Sequence, residues 1–253
     1  MGAISRHDML AGLTYSVNYP FWPAHAFCIT HLWSLSVEEQ FYLLWPSVMK
    51  LAGITRAMVC AAVVVFLSPL LRSGIFLFFP HSYSDYIGNT FETTADAIAC
   101  GCLLAAVHKT LGASPRYRSI LASNWMHLLP IAVVALNACS RHPRFAFLVG
   151  YSTINLLIAF YIHHLVLKPY GLIGWLLNSG PMVWLGTLSY SIYLWQQVFL
   201  NPDWSSILTS FPWNIGAAIL AACVSYYLVE RWAFWFRDHV RPVAWRQYRL
   251  QPS

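Results

Sequence analysis

The feature that most constrains this chain is a succession of long apolar runs, each bounded by Pro, Gly, Asn or charge. They fall at about 34–52, 56–72, 92–109, 126–140, 146–166, 182–201 and 213–231. A helix that crosses a bilayer needs ~20 mostly apolar residues. Hydrocarbon offers no partner to a backbone N–H or C=O, and a helix satisfies all of its own. The pattern therefore predicts an all-α, polytopic transmembrane helix bundle of about seven spans. Pro46 and Pro69 fall inside or near the ends of spans, which membrane helices tolerate when neighbours re-satisfy the freed backbone. Charge supports the same reading: 9% of the 253 residues are charged and 58% are hydrophobic. A soluble domain carries ~25% charged residues and needs them to cover its surface.

The chain has a net charge of +6. Lys50, Arg56, Lys109, Arg116, Arg118, Lys168 and the C-terminal arginines Arg231, Arg237, Arg241, Arg246 and Arg249 all fall on one side of the expected bundle. Arg72, Arg141 and Arg144 fall in the opposite loops. This bias predicts a cytoplasmic C-terminus and places residues before the first span on the outer side. Basic charge then marks loops and anionic lipid, not nucleic acid. The tail interleaves Trp232, Phe234, Trp235 and Trp245 with its arginines, as an interfacial anchor would. The cysteines Cys28, Cys60, Cys100, Cys102, Cys139 and Cys223 show no zinc-like spacing. There is no HExxH, Walker or GxSxG motif, and the adjacent His163 and His164 cannot serve one metal from one helix face, so no metal site is expected.

The strongest local signal is the stretch His31-Leu-Trp-Ser-Leu-Ser-Val-Glu-Glu-Gln-Phe-Tyr-Leu-Leu-Trp-Pro46. Two adjacent carboxylates open an apolar helix, where each charge costs ~2.5–3.5 kcal/mol at mid-membrane without a partner or water. Adjacent helical residues point ~100° apart, so Glu38 and Glu39 cannot serve one site equally. Ser34, Glu38, Tyr42 and Trp45 share one stripe, suited to a sugar-facing or cofactor-facing wall. Glu39 could instead pair with an arginine or favour the helix start, and both acids could simply anchor a helix end. A second signal is Phe91 to Gly101, where Asp96 is a lone carboxylate inside a span. Thr93 is spaced to hydrogen-bond it, and Gly101 would permit close helix approach. The third and fourth signals are Trp184 to Gln197 and Ser225 to Arg231. Ser189, Tyr190, Tyr193 and Gln197 form a polar and aromatic stripe suited to helix packing, and Glu230 with Arg231 suits an anchor or an inter-helix ion pair.

These four segments, in this order, resemble the acyltransferase family 3 of integral membrane O-acyltransferases over about residues 12–235. The stretch from Trp33 to Pro46 is the most specific. Two positions depart from the pattern. Thr94 stands where the family usually has Arg, and Trp232 where it often has Pro. The resemblance implies about ten helices, with a catalytic His on an early helix about ten residues after an Arg. No helix here matches it, so three further helices and that base are expected upstream of Met1. The domain reading that follows is a partial helix and outer loop over 1–32, the acyltransferase transmembrane domain over 33–235, and a basic cytoplasmic tail over 236–253.

By resemblance, the activity is transfer of an acyl group, commonly acetyl, to a hydroxyl of a cell-envelope or secreted glycan. Acyl-CoA is the donor substrate, no cofactor is bound, and the protein sits multi-pass in the cell (inner) membrane. The expected catalytic residues are Glu38 and Glu39, with Trp33, Ser34, Tyr42, Asp96 and Tyr193 binding substrate. The partners are the bilayer and the glycan. Two other readings stay open at this stage: an inactive remnant acting as a membrane binding subunit, and a transporter, for which no matched half-helices are found.

Overall fold

A computed structural model describes residues 4–22, 26–79, 87–201 and 206–240. Among these every regular element is helical: α1 (Arg6–Leu13), α2 (Leu32–Phe78), α3 (Asp96–Ala113), α4 (Pro115–Ala122), α5 (Leu129–Cys139), α6 (Tyr151–Leu167), α7 (Gly180–Phe199), α8 (Trp213–Ser225) and α9 (Arg231–Val240), with short helical turns between them. All seven expected apolar runs are helical. Four helical stretches are long and apolar enough to cross a membrane: Phe27–Phe78, Asp96–Ala113, Pro143–Leu167 and Trp213–Arg237. The bent pair Pro115–Ala122 and Asn124–Cys139, kinked by 53°, makes up to five.

The seven apolar runs are distributed over these stretches as follows. The first two runs fuse in α2, whose 47 residues would extend ~70 Å at 1.5 Å per residue, over twice the ~30 Å of a hydrocarbon core. Gly53 interrupts it with φ 78 and ψ 162, a left-handed conformation suited to glycine, and divides it into 32–52 and 54–78. The run near 126–140 is short and needs its bent neighbour. The run near 182–201 lies in α7, whose Thr, Ser, Tyr and Gln dilute its apolarity. Large apolar side chains such as Leu43, Phe66, Leu70 and Val134 are exposed, as lipid-facing residues of a bundle must be.

The chain forms two compact units, one up to Leu176 and one from Leu177 onward. In the first, α2 packs along α3, and α3 along α6. The helices α3 and α6 run parallel: Ser152 meets Asp96 at their starts. At their ends a Cβ on Gly112 would lie 3.6 Å from Leu167. Near that far end Leu121, Met126 and Leu129 form a small core with Tyr117, Leu157 and Tyr161. His163 and His164 are buried there, with separate partners. The Nδ1 of His163 is 2.7 Å from the Tyr117 hydroxyl, and that of His164 is 2.7 Å from the Leu121 carbonyl. In the second unit α7 packs on α8. Tail residues 241–253 lie outside the described residues.

Candidate functional site

One of the arginines expected in an outer loop builds the centre of the first unit. Arg72 lies within α2 and is 1% exposed. Its guanidinium donates to the Thr93 carbonyl (2.5 Å), the Phe147 carbonyl (3.2 Å) and the Ser152 hydroxyl (2.7 Å), and it lies 3.6 Å from Asp96 Oδ2. Ser152 in turn donates to the same Asp96 oxygen at 2.9 Å, and Tyr151 lies under the guanidinium, 5.5 Å from its ring centroid. A guanidinium presents donors in a fixed planar fork, and that shape lets one buried cation tie three chain segments together. The Phe147 carbonyl comes from a π-helical turn, Ala146–Gly150. Such turns disturb the regular helical ladder and often mark functional sites. Gly150 suits this close packing: a Cβ would lie 2.8 Å from the Ser140 hydroxyl and 3.1 Å from the Phe145 carbonyl, so a neighbour would have to shift.

This arrangement bears on the departure at Thr94 and revises two expectations. Asp96 pairs with Arg72 of α2, while Thr94 holds the position where the family usually has Arg. Thr93 does not bond Asp96; its hydroxyl meets Thr90 at 2.9 Å and its carbonyl receives Arg72. Gly101 does not bring two helices together, since a Cβ there would have nothing within 4 Å.

Around the Arg72–Asp96 pair opens a cavity of about 460 Å³, lined by Trp33, Ser34, Val37, Glu38, Thr94, Tyr151 and Asn155 among others. Four expected site residues meet here: Trp33, Ser34, Glu38 and Asp96. The two carboxylates face it differently. Asp96 is clasped and buried, with Arg72, Ser152 and Asn155 as its polar neighbours. Glu38 is exposed on the α2 wall. Glu39 is half-buried and Tyr42 exposed, and neither lines this cavity. Tyr193 lies on α7 of the second unit, half-buried. Among the described residues no cluster of His, Cys, Asp and Glu could hold a metal.

A second cavity, about 590 Å³, runs along the α3–α6 seam. Its α3 wall is Ala97, Gly101, Leu104, Ala105 and His108. The small residues at i, i+4 and i+8 leave the groove open. His163 lines it, and its Nε2 is buried without a hydrogen bond among the described residues. Ala97 and Asn155 border both cavities.

Sequence reasoning missed Gln40, although it sits in the strongest motif. Its side chain and that of Asn18 bond each other twice, at 3.2 and 3.0 Å, and Gln40 also donates to the Tyr15 carbonyl at 2.7 Å. It straps the segment before the first span onto α2, and Asn18 is fully buried. In the second unit a cross-helix hydrogen bond comes from a residue outside the expected stripe. Ser189 bonds back to its own helix at Gly186, whereas buried Ser191 donates to Glu230 in a π-helical turn, Tyr226–Glu230.

No family model and no solved structure matches this chain. Curated relatives do. The chain is 26% identical over 219 residues to the protein YrhL of Bacillus subtilis (strain 168), covering 80% of this chain and 34% of that protein. It is 25% identical over 211 residues to the peptidoglycan O-acetyltransferase OatA of Listeria monocytogenes, covering 80% and 33%. It is 24% identical over 189 residues to the O-acetyltransferase OatA of Staphylococcus aureus, covering 68% and 30%. The chain thus spans about a third of the length of these relatives, and its similarity is to proteins named as O-acetyltransferases, two of them of peptidoglycan.

Proposed function

We propose that this chain is the substrate-handling membrane part of an acyltransferase, related to acyltransferase family 3, that moves an acetyl group from acyl-CoA to a hydroxyl of peptidoglycan. The observation that carries the reading is the convergence of Trp33, Ser34 and Glu38 with the Arg72–Asp96 pair on one cavity. It joins the most family-specific motif to the lone carboxylate of a middle helix. An aromatic ring, a hydroxyl and an open carboxylate suit a sugar, and the named activity of the relatives supplies the acceptor class.

In the reaction the acceptor hydroxyl oxygen attacks the thioester carbonyl. A C–O bond forms, the C–S bond breaks, and the hydroxyl proton passes through a base to the departing thiolate. Glu38 is the lining carboxylate open to the cavity, and it accepts the hydrogen bond of the acceptor hydroxyl. Asp96 and Arg72 hold the wall, since their charges are already engaged with each other. No histidine lines this cavity, and the family resemblance assigns the base to a helix other than those described. The seam cavity supports a donor route. It leads from Asn155 toward the end of α3 and α6 where Lys109, Arg116, Arg118 and Lys168 lie, the side that the charge bias makes cytoplasmic and where a donor's phosphates would be held.

The test is acetyl transfer from labelled acetyl-CoA to peptidoglycan fragments by membranes carrying the protein, in the longest form its reading frame encodes. Glu38→Gln should lower transfer by ~10²-fold or more at unchanged membrane content. Full activity in Glu38→Gln would return the acids to helix anchoring. Any remnant or binding-subunit reading predicts no transfer from the parent protein.

A further inference from the structure

We propose that the aromatic run at the start of the first unit is a glycan platform, an oligosaccharide-binding site that delivers the acceptor strand to the Glu38 cavity. It rests on the acyltransferase reading for the identity of the glycan. Four rings stand in series: His7 to Trp22 at 6.1 Å, Trp22 to Phe21 at 6.0 Å, and Phe21 to Tyr19 at 5.3 Å with planes 14° apart. Phe21 is 68% exposed. The series ends on a carboxylate, where the Tyr19 hydroxyl donates to Glu92 Oε2 at 3.1 Å. Tyr19, Phe21, Phe79, Thr90 and Glu92 line a cavity of about 620 Å³.

This cavity and the Glu38 cavity share a wall. Ile87, Thr90 and Glu92 face the platform side, and Gly88, Asn89 and Thr94 face the Glu38 side. A strand lying on the rings therefore rests against the segment whose other residues, Gly88, Asn89 and Thr94, line the Glu38 cavity.

The chemistry selects a sugar over a lipid. A pyranose presents C–H faces that rest on aromatic rings, whose faces are electron-rich, and a rim of hydroxyls that donate to a carboxylate. Acyl chains have no use for Glu92, and an acid on a lipid-facing patch is disfavoured. The platform is also held still, which lowers the cost of ordering it on binding. Asn18 and Gln40 lock its base, and Trp22 Nε1 donates to the Ser16 hydroxyl at 2.9 Å. Burial and the neighbouring Glu92 push the Tyr19 phenol up to about 12, so it remains a neutral donor throughout the physiological range.

The bland alternative is an aromatic belt that merely seats the loop at the bilayer surface. Binding of a soluble peptidoglycan tetrasaccharide to the protein in nanodiscs, followed by tryptophan fluorescence, separates the two. Phe21→Ala and Glu92→Gln should each weaken binding tenfold or more, with nanodisc incorporation unchanged. In the transfer assay both should raise KM for the tetrasaccharide and leave KM for acetyl-CoA alone. Unchanged affinity in both variants overturns the platform, and so does loss of bilayer insertion in place of sugar affinity. If the parent transfers acetyl and the variants keep its KM, the platform falls while the acyltransferase reading stands. If the parent transfers nothing yet binds the tetrasaccharide through Phe21 and Glu92, the platform stands and that reading falls.

Discussion

The two units treat buried polarity in opposite ways. In the first, Arg72 and Asp96 pair at the wall of a cavity: the cation reaches three acceptor groups, Asp96 is buried behind it, and Glu38 is left open to the cavity. In the second, Ser191 and Glu230 meet each other. The cavity described in that unit, about 490 Å³, is walled by Trp195, Phe199, Leu220, Val224 and other largely apolar residues. Polar groups in hydrocarbon are costly and seek one another. Pairing that closes on itself is structural glue. Pairing that leaves acceptors facing an open space is what a binding site needs. The contrast favours α2, α3 and α6 over α7 and α8 as the seat of the proposed chemistry.

The largest effect should come from breaking the Arg72 clasp. Arg72→Leu strands the Asp96 carboxylate in the interior, which costs ~3–5 kcal/mol, read as a steep loss of thermal stability in detergent. The double variant Arg72→Leu/Asp96→Leu should recover most of that stability, because an apolar pair of similar volume removes both charges. It should still fail to transfer acetyl. A double variant that is stable and active would make the pair mere glue, like Ser191 and Glu230.

Next comes the strap. Gln40→Ala leaves Asn18 buried without its partner, at ~1–3 kcal/mol. It should also weaken glycan binding, because the platform loses its base. Stability lost with glycan affinity intact would separate the strap from the platform. The counterpart in the second unit should be smaller: Ser191→Ala removes one hydrogen bond to a charged group, worth ~1.5 kcal/mol or somewhat more. Acetyl transfer should be retained at permissive temperature. A large loss of transfer at unchanged stability would carry the chemistry into the second unit, where Tyr193 also lies.

How much of this was legible in the sequence follows from what each signal depends on. Helices and their approximate limits were legible, because apolar runs bounded by Pro, Gly and charge are local facts. The meeting of Trp33, Ser34, Glu38 and Asp96 was legible in part, since carboxylates in apolar helices announce a cost that something must offset. Tyr42 shows the limit: the i, i+4 rule puts it on the Glu38 stripe, yet the cavity closes one turn earlier. Arg72 was misplaced because it ends an apolar run and looks like a loop charge; the helix continues to Phe78 and carries it inward. A lone arginine at the edge of a span was the available signal. Gln40 and Ser191 could not have been found by spacing, as their partners lie 22 and 39 residues away. The break between the first two runs, read from the sequence as 34–52 and 56–72, falls at Gly53, whose left-handed φ divides the long helix there.

The smallest expected effect is a pH dependence at the platform, and its sign is fixed by the direction of the Tyr19 shift. Burial and Glu92 raise the Tyr19 phenol to about 12, above the ~10 of an unfolded tyrosine. Below both values the phenol is neutral in both states, and the Tyr19–Glu92 contact contributes its full stability. Between them the unfolded chain loses its proton while the folded chain keeps it, so stability falls as pH rises through that window. Above about 12 the folded group ionises as well, opposite the Glu92 carboxylate, and the contact is gone. Thermal unfolding between pH 9 and 12 should therefore show a smaller alkaline loss in Tyr19→Phe than in the parent. Other tyrosines, such as Tyr42 and Tyr117, contribute a background common to both proteins. Equal losses would mean that Tyr19 is solvated rather than held against Glu92, and the ring series would then end in open solvent instead of on a carboxylate.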